Sequence, residues 1–197
     1  MAISVQGRHI ARNTLFVGAS FGLAAVVGLA RDVVIARHFG IGADLDTYYA
    51  AFRLPELLFT IVAGGALATA FIPVFAEFLA RCDAEGAWRL TSAVTNLVLL
   101  VVSALAALAA LGAPHLVRLL IAPGFDPSAQ AETASLMRLV LVSTVIFGVS
   151  AMATSALHGL KHFALPALAP VVYPLGVTAG ALWLAPAMGV RGLALGA

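Results

Sequence analysis

Five ionisable side chains lie in or beside stretches apolar enough to sit in lipid: Arg31 and Asp32, then Asp46, Arg53 and Glu56. A charge at the bilayer centre costs about 2.5–3.5 kcal/mol on insertion scales, so such groups normally face a partner or a wet cavity. Asp46, Tyr49, Arg53, Glu56 and Thr60 follow steps of three and four, which on a helix makes a single polar stripe. On the preceding helix Ser20, Ala24, Gly28 and Arg31 share a face, where small side chains allow close packing or leave cavity space. Together the two faces point to charge held around a solvated cavity within the membrane. Two plainer readings stand beside this one. Arg53 and Glu56 are three apart and can pair within their own helix, and Arg31 and Asp32 can snorkel to the interface.

Other chemistry has little to stand on. The sequence holds no GxSxG elbow, no Gly-rich phosphate loop ending in Lys-Ser or Lys-Thr, and no HExxH pair. Its one cysteine, Cys82, forms no CxxC, and its five histidines are scattered. Asp44 and Asp46 could share a divalent ion but lie in a turn without further ligands. The expectation is therefore no enzyme, no metal and no cofactor. A net charge of +2 without a basic run gives no reason to expect nucleic acid. Ser143, Ser150, Thr154 and His158, near one face of a later helix, and Asn96 read as packing and interhelical hydrogen bonding.

The elements that must position the charged faces follow from composition. Of 197 residues, 62% are hydrophobic and 10% charged, with a mean hydropathy of +1.04. A soluble domain carries about 25% charged residues; here too few polar residues exist to cover the apolar surface, and the excess must face lipid. A bilayer core about 30 Å thick needs about 20 apolar residues as helix. The runs are continuous rather than alternating, which predicts helices, not a barrel. The fold class expected is all-α, a polytopic transmembrane helix bundle. Its spans fall at about 12–38, 45–79, 89–113, 133–157 and 162–186, with a sixth opening at 190–197 and incomplete. Pro55 should kink the second span, and Gly64-Gly65 adds a soft point. Asp44 reads as an N-cap, and His115 to Ile121 as a short interfacial piece. The last run ends in apolar residues without a charged flank, as a truncated chain would. With the amino terminus inside, the inner segments hold Arg8, Arg12, Arg81, Arg89 and Lys161, against Arg37, Arg118, Arg138 and Arg191 outside, a weak positive-inside bias.

The run Gly28-Leu29-Ala30-Arg31-Asp32-Val33-Val34-Ile35-Ala36-Arg37-His38-Phe39-Gly40-Ile41-Gly42 resembles the first-helix signature of the MurJ/MviN family. Asp46-Thr47-Tyr48-Tyr49-Ala50-Ala51-Phe52-Arg53-Leu54-Pro55-Glu56-Leu57 resembles its second. Phe71-Ile72-Pro73-Val74-Phe75, Ala122-Pro123-Gly124-Phe125 and Ala164-Leu165-Pro166-Ala167 are similar to later landmarks, and Gly189-Val190-Arg191-Gly192 to the start of a sixth helix. The resemblance implies that residues 1–197 form the first, amino-terminal lobe of the multidrug/oligosaccharidyl-lipid/polysaccharide exporter fold, whose full members have two lobes around a central cationic cavity. It further implies a flippase that carries undecaprenyl-pyrophosphate-linked lipid II across the bacterial inner membrane by alternating access, with the amino terminus cytoplasmic. The implied partners are that lipid-linked glycan pyrophosphate, membrane lipids and a second transmembrane lobe. Arg31 matches a family cavity arginine, Arg53 a basic position, and Asp32 and Asp46 family acids; Glu56 lies beside Arg53 as its neutraliser. The chain departs from the family pattern at Ala25 and Phe59, where arginines are common, and at Gly64, where an acid is; the alternatives are an exporter of another polyprenyl-linked glycan and a membrane scaffold of the same fold that does not transport.

Overall fold

The computed structural model describes residues 2–40, 42–63 and 66–197, with side chains described over 15–40, 42–61 and 69–197. Gly64-Gly65 lies outside the described residues. The described elements are helical throughout: α1 (Ala2–Phe39), α2 (Ala43–Ala63), α3 (Ala66–Ala80), α4 (Ala84–Leu111), α5 (Ala113–Leu116), α6 (Pro127–Gly159), α7 (Ala164–Ala179), α8 (Ala185–Met188) and α9 (Val190–Gly196). Five-residue π-helical turns follow α5 (Val117–Ile121) and α7 (Gly180–Leu184).

Local chemistry sets the boundaries. α3 ends where Cys82 takes a positive φ of 59° and the Asp83 amide reaches back to the Phe78 carbonyl at 3.0 Å, a left-handed helix stop. Asp83 then caps α4, its Oδ1 accepting from the Gly86 amide at 2.8 Å. α6 opens with Pro127 in its first turn, where the missing N–H costs nothing. It closes as α3 does, with Lys161 at φ 60° and the His162 amide on the Leu157 carbonyl at 2.8 Å. Asp44, expected to cap α2, lies instead in its first turn with Asp46, where acids favour the helix dipole. α2 runs through Pro55 as one helix.

Four segments are long and apolar enough to cross a membrane: Leu15–Phe39, Ala84–Leu111, Pro127–Gly159 and Ala164–Met188. The stretch expected as one span over 45–79 is built from α2, which carries Asp44, Asp46, Arg53 and Glu56, and the shorter apolar α3. The 33-residue α6 is the central post. It packs against α2, α4 and α3, while α7 packs along α1 and turns back through Gly189 to α9. One core joins Ile35, Tyr48, Ala51, Met137, Leu141, Val177 and Leu193; another joins Phe71, Phe75, Val98, Val102 and Met152. Buried hydroxyls are satisfied within their helices: Thr133 Oγ1 donates to the Ala129 carbonyl at 2.8 Å and Ser155 Oγ to Ala151 at 2.9 Å. Leu100, Leu108, Val142, Ile146 and Trp183 stand exposed on the outside. That apolar perimeter belongs in lipid, and the chain is a membrane protein.

The α7–α9 hairpin rests on glycines. A Cβ on Gly176 would collide with the Gly196 carbonyl, and one on Gly180 with the Gly192 carbonyl. The spacing is Gly-xxx-Gly on both helices, the arrangement that lets membrane helices approach backbone to backbone. The sequence reading took Gly192 only as the start of a helix and did not pair it with Gly180.

Candidate functional site

Arg31 and Asp32 occur eight and seven residues before the end of α1. At a 1.5 Å rise per residue, Arg31 lies about 12 Å below that end. The two side chains close on each other: Arg31 Nε and Nη2 donate to Asp32 Oδ1 at 3.0 and 2.8 Å. The pair is partly open, with the Arg31 side chain 26% and the Asp32 side chain 53% exposed. Asp32 thus holds the guanidinium by one edge and leaves Nη1 for another acceptor.

On α2 the expected stripe is present as a face. Asp46, Tyr49, Arg53, Glu56 and Thr60 are all exposed, whereas Thr47, Tyr48, Ala50, Ala51 and Pro55 are buried. The buried side is the one that meets α6. Depth differs along the stripe: Asp46 is in the first turn, about 5 Å from the helix start, while Arg53 and Glu56 lie about 15 and 20 Å in. Among the described residues the ion pairs are Arg31–Asp32, Glu77–Arg81 and Glu85–Arg89. Arg53 and Glu56 do not pair with each other, so the local salt bridge that their spacing permits is not formed. Asp46 likewise makes no ion pair among the described residues.

The small-residue face of α1 is its packed face. Ser20 is buried, with its Oγ donating to the Phe16 carbonyl at 2.9 Å, and Ala24, Gly28 and Arg31 are half-buried along the same line. Of the two uses open to that face, close packing describes the Ser20 end, where the side chain is buried. Gly28 retains open space around its Cα, so room remains beside Arg31.

Two tyrosines that the sequence reading did not single out complete the arrangement. Tyr173 of α7 lies within electrostatic reach of both Arg31 and Glu56, and Tyr48 of α2 within reach of Arg31, Asp32 and Tyr173. Charges of both signs, on α1 and α2, thus act on the Tyr173 phenol. An aromatic row ties the walls together: Phe59 of α2 meets Phe147 of α6 at 6.2 Å between ring centroids, and Phe147 meets Tyr173 at 5.9 Å, both edge to face. Tyr173 was detectable as the one phenol in an otherwise uncharged, Pro-rich run; its neighbours across the bundle were not. Among the described residues no group of histidine, cysteine, aspartate and glutamate has the geometry to hold a metal. What the site can do chemically is present a guanidinium, steadied by a carboxylate and flanked by phenols, to an anion at membrane depth.

Comparison with known proteins agrees with this architecture. The sequence model described as "Lipid II flippase MurJ" matches residues 35–197. A lipid II flippase MurJ of Burkholderia cenocepacia is 33% identical over 175 residues, covering 88% of this chain and 34% of that protein. A probable lipid II flippase MurJ of Thermotoga maritima is 29% identical over 188 residues, 93% of this chain and 39% of that protein. A solved lipid II flippase MurJ in an inward closed conformation superposes with a TM-score of 0.78 at 25% identity, covering 92% of this chain and 38% of that one. The chain thus spans about a third of the length of the curated relatives it matches. The matched residues 35–197 take in Asp46, Arg53 and Glu56 on α2 and all of α3 to α9, and the chain belongs to the MurJ family.

Proposed function

We propose that the protein carrying this chain is a flippase that moves undecaprenyl-pyrophosphate-linked lipid II across the bacterial inner membrane, with this chain as one of two lobes and its amino terminus cytoplasmic. The observation that carries the reading is the partly exposed Arg31 fork, held by Asp32 at 2.8 Å about 12 Å inside α1. A pyrophosphate entering hydrocarbon needs donors that stay charged, and a guanidinium offers them in a planar fork. Asp32 keeps that fork oriented while the substrate is absent and competes with it when present, a basis for release. Glu56 and Arg53, deeper on α2, supply opposite charges on the facing wall. The prenyl tail stays against lipid along the apolar perimeter. Alternating access then moves this lobe against the second around the shared site, and the work is transport, with no covalent step.

Ala25 and Phe59 favour a second reading, export of another polyprenyl-linked glycan. Both stand where the resemblance leads one to expect arginine, and fewer cations suit a substrate with less anionic charge.

The test is rescue of a bacterium depleted of its own flippase. The protein carrying this chain together with a second lobe restores growth, and this chain alone does not. Rescue by the chain alone would contradict the two-lobe mechanism; failure of the two-lobe protein, with the membrane level matched, would point to the other glycan.

A further inference from the structure

A second polar site lies away from the charged face, at the end of the bundle where α4 gives way to α6. A groove of about 530 Å³ opens there, lined by Pro114, Arg118, Phe125, Pro127, Gln130 and Ala131. Its position is interfacial by construction. α4 and α6 are 28 and 33 residues long, about 42 and 50 Å of helix, more than the hydrocarbon thickness of about 30 Å. The segment that joins their ends must lie among headgroups. Leu119 and Leu120, next to Arg118, are 69% and 74% exposed, so apolar anchors flank the groove.

The lining combines a cation with acceptors. Arg118 is exposed and makes no ion pair among the described residues. Gln130 Nε2 donates to the Ala122 carbonyl at 3.1 Å, which fixes the amide and leaves its Oε1 as an acceptor. Phe125 offers a ring face, and Asp126, between the lining residues Phe125 and Pro127, is an exposed carboxylate that makes no capping bond to α6. A guanidinium, an amide and an aromatic ring line the groove, and the exposed Asp126 carboxylate stands at its rim between two lining residues; together they fit a ligand that carries both charges. We propose that this groove seats the headgroup of phosphatidylethanolamine, with its phosphate on Arg118 and its ammonium against Phe125, Gln130 Oε1 and Asp126. A glycerol headgroup would satisfy Arg118 and leave the carboxylate without a cation. The site does not depend on the flippase reading, since it serves any chain embedded through α4 and α6.

Native mass spectrometry of the purified, delipidated chain, back-titrated with equimolar phosphatidylethanolamine and phosphatidylglycerol, tests this. Wild type retains the ethanolamine lipid at least about tenfold over the glycerol lipid, a difference of about 1.4 kcal/mol. Arg118→Ala loses that retention, Arg118→Lys keeps part of it, and Asp126→Asn narrows the preference. Both Arg118 variants alter an exposed side chain, and matched far-UV circular dichroism verifies their fold. Equal ethanolamine-lipid retention by wild type and folded Arg118→Ala overturns the site. Equal or greater retention of the glycerol lipid by wild type overturns the zwitterionic assignment. Displacement of bound lipid by millimolar inorganic phosphate assigns the groove to a free anion and also overturns it.

Discussion

Replacing Gly180 with alanine should loosen the α7–α9 hairpin more than a single methyl suggests. An ideal Cβ at Gly180 would lie 3.0 Å from Gly196 Cα and 3.2 Å from its nitrogen, and would collide with the Gly192 carbonyl. All three obstacles are backbone, so no rotamer change relieves them, and the helices must separate. Overpacking of this kind costs about 1–3 kcal/mol. Helix propensity acts the other way, since glycine is about 1 kcal/mol worse than alanine inside a helix. The control is Gly22→Ala on α1, where nothing lies within 4 Å of the added Cβ and only the propensity gain remains. The propensity gain is common to both and cancels, so the two single substitutions should differ by the overpacking cost, about 1–3 kcal/mol in unfolding free energy, with Gly180→Ala the less stable. SDS titration of each variant in mixed micelles, followed by far-UV circular dichroism, measures the difference. Gly180→Ala as stable as Gly22→Ala would refute the backbone-contact argument.

Gly189 at φ 60° and ψ −141° occupies a region essentially closed to residues with a Cβ, so Gly189→Ala should cost about 1–3 kcal/mol in the same titration. Asp83→Ala removes the Gly86 capping bond and should cost about 1 kcal/mol, visible as earlier hydrogen exchange in the first turn of α4. Cys82, exposed in its turn, should react with a membrane-impermeant maleimide in inside-out vesicles and resist it in intact cells; ready labelling from outside would reverse the proposed orientation.

The helical membrane architecture was legible because continuous apolar runs leave few alternatives: the runs expected at about 89–113, 133–157 and 162–186 all emerge as long helices. Boundaries set by local hydrogen bonds were less legible. α4 starts at Ala84 rather than near Arg89 because Asp83 caps it, and α6 starts at Pro127 because proline is pre-organised there. The polar stripe on α2 followed from spacing alone, since steps of three and four fix a face whatever packs behind it. Pairing did not follow. Arg31 chose its sequence neighbour Asp32, a contact helical spacing does not favour, and Arg53 and Glu56 stayed apart although spacing permits the bond. Tyr173 and the Gly180–Gly192 contact depend on which helices neighbour one another, information that a single sequence without pairing data does not carry.

In the proposed transport cycle Arg31 is the group that receives the pyrophosphate. The direct test is outer-leaflet exposure of lipid II in flippase-depleted cells that express the protein with wild-type, Arg31→Ala, Arg31→Lys or Arg53→Ala sequence, normalised to protein in the membrane. A charge-assisted hydrogen bond contributes about 1.5–3 kcal/mol, so Arg31→Ala should lower exposure by roughly ten- to a hundredfold. Arg31→Lys should fall between it and wild type, because it keeps the charge and loses the fork, and Arg53→Ala should be milder than Arg31→Ala. Normal exposure with Arg31→Ala at equal abundance, together with loss in Arg53→Ala, would contradict the account and place the pyrophosphate on α2.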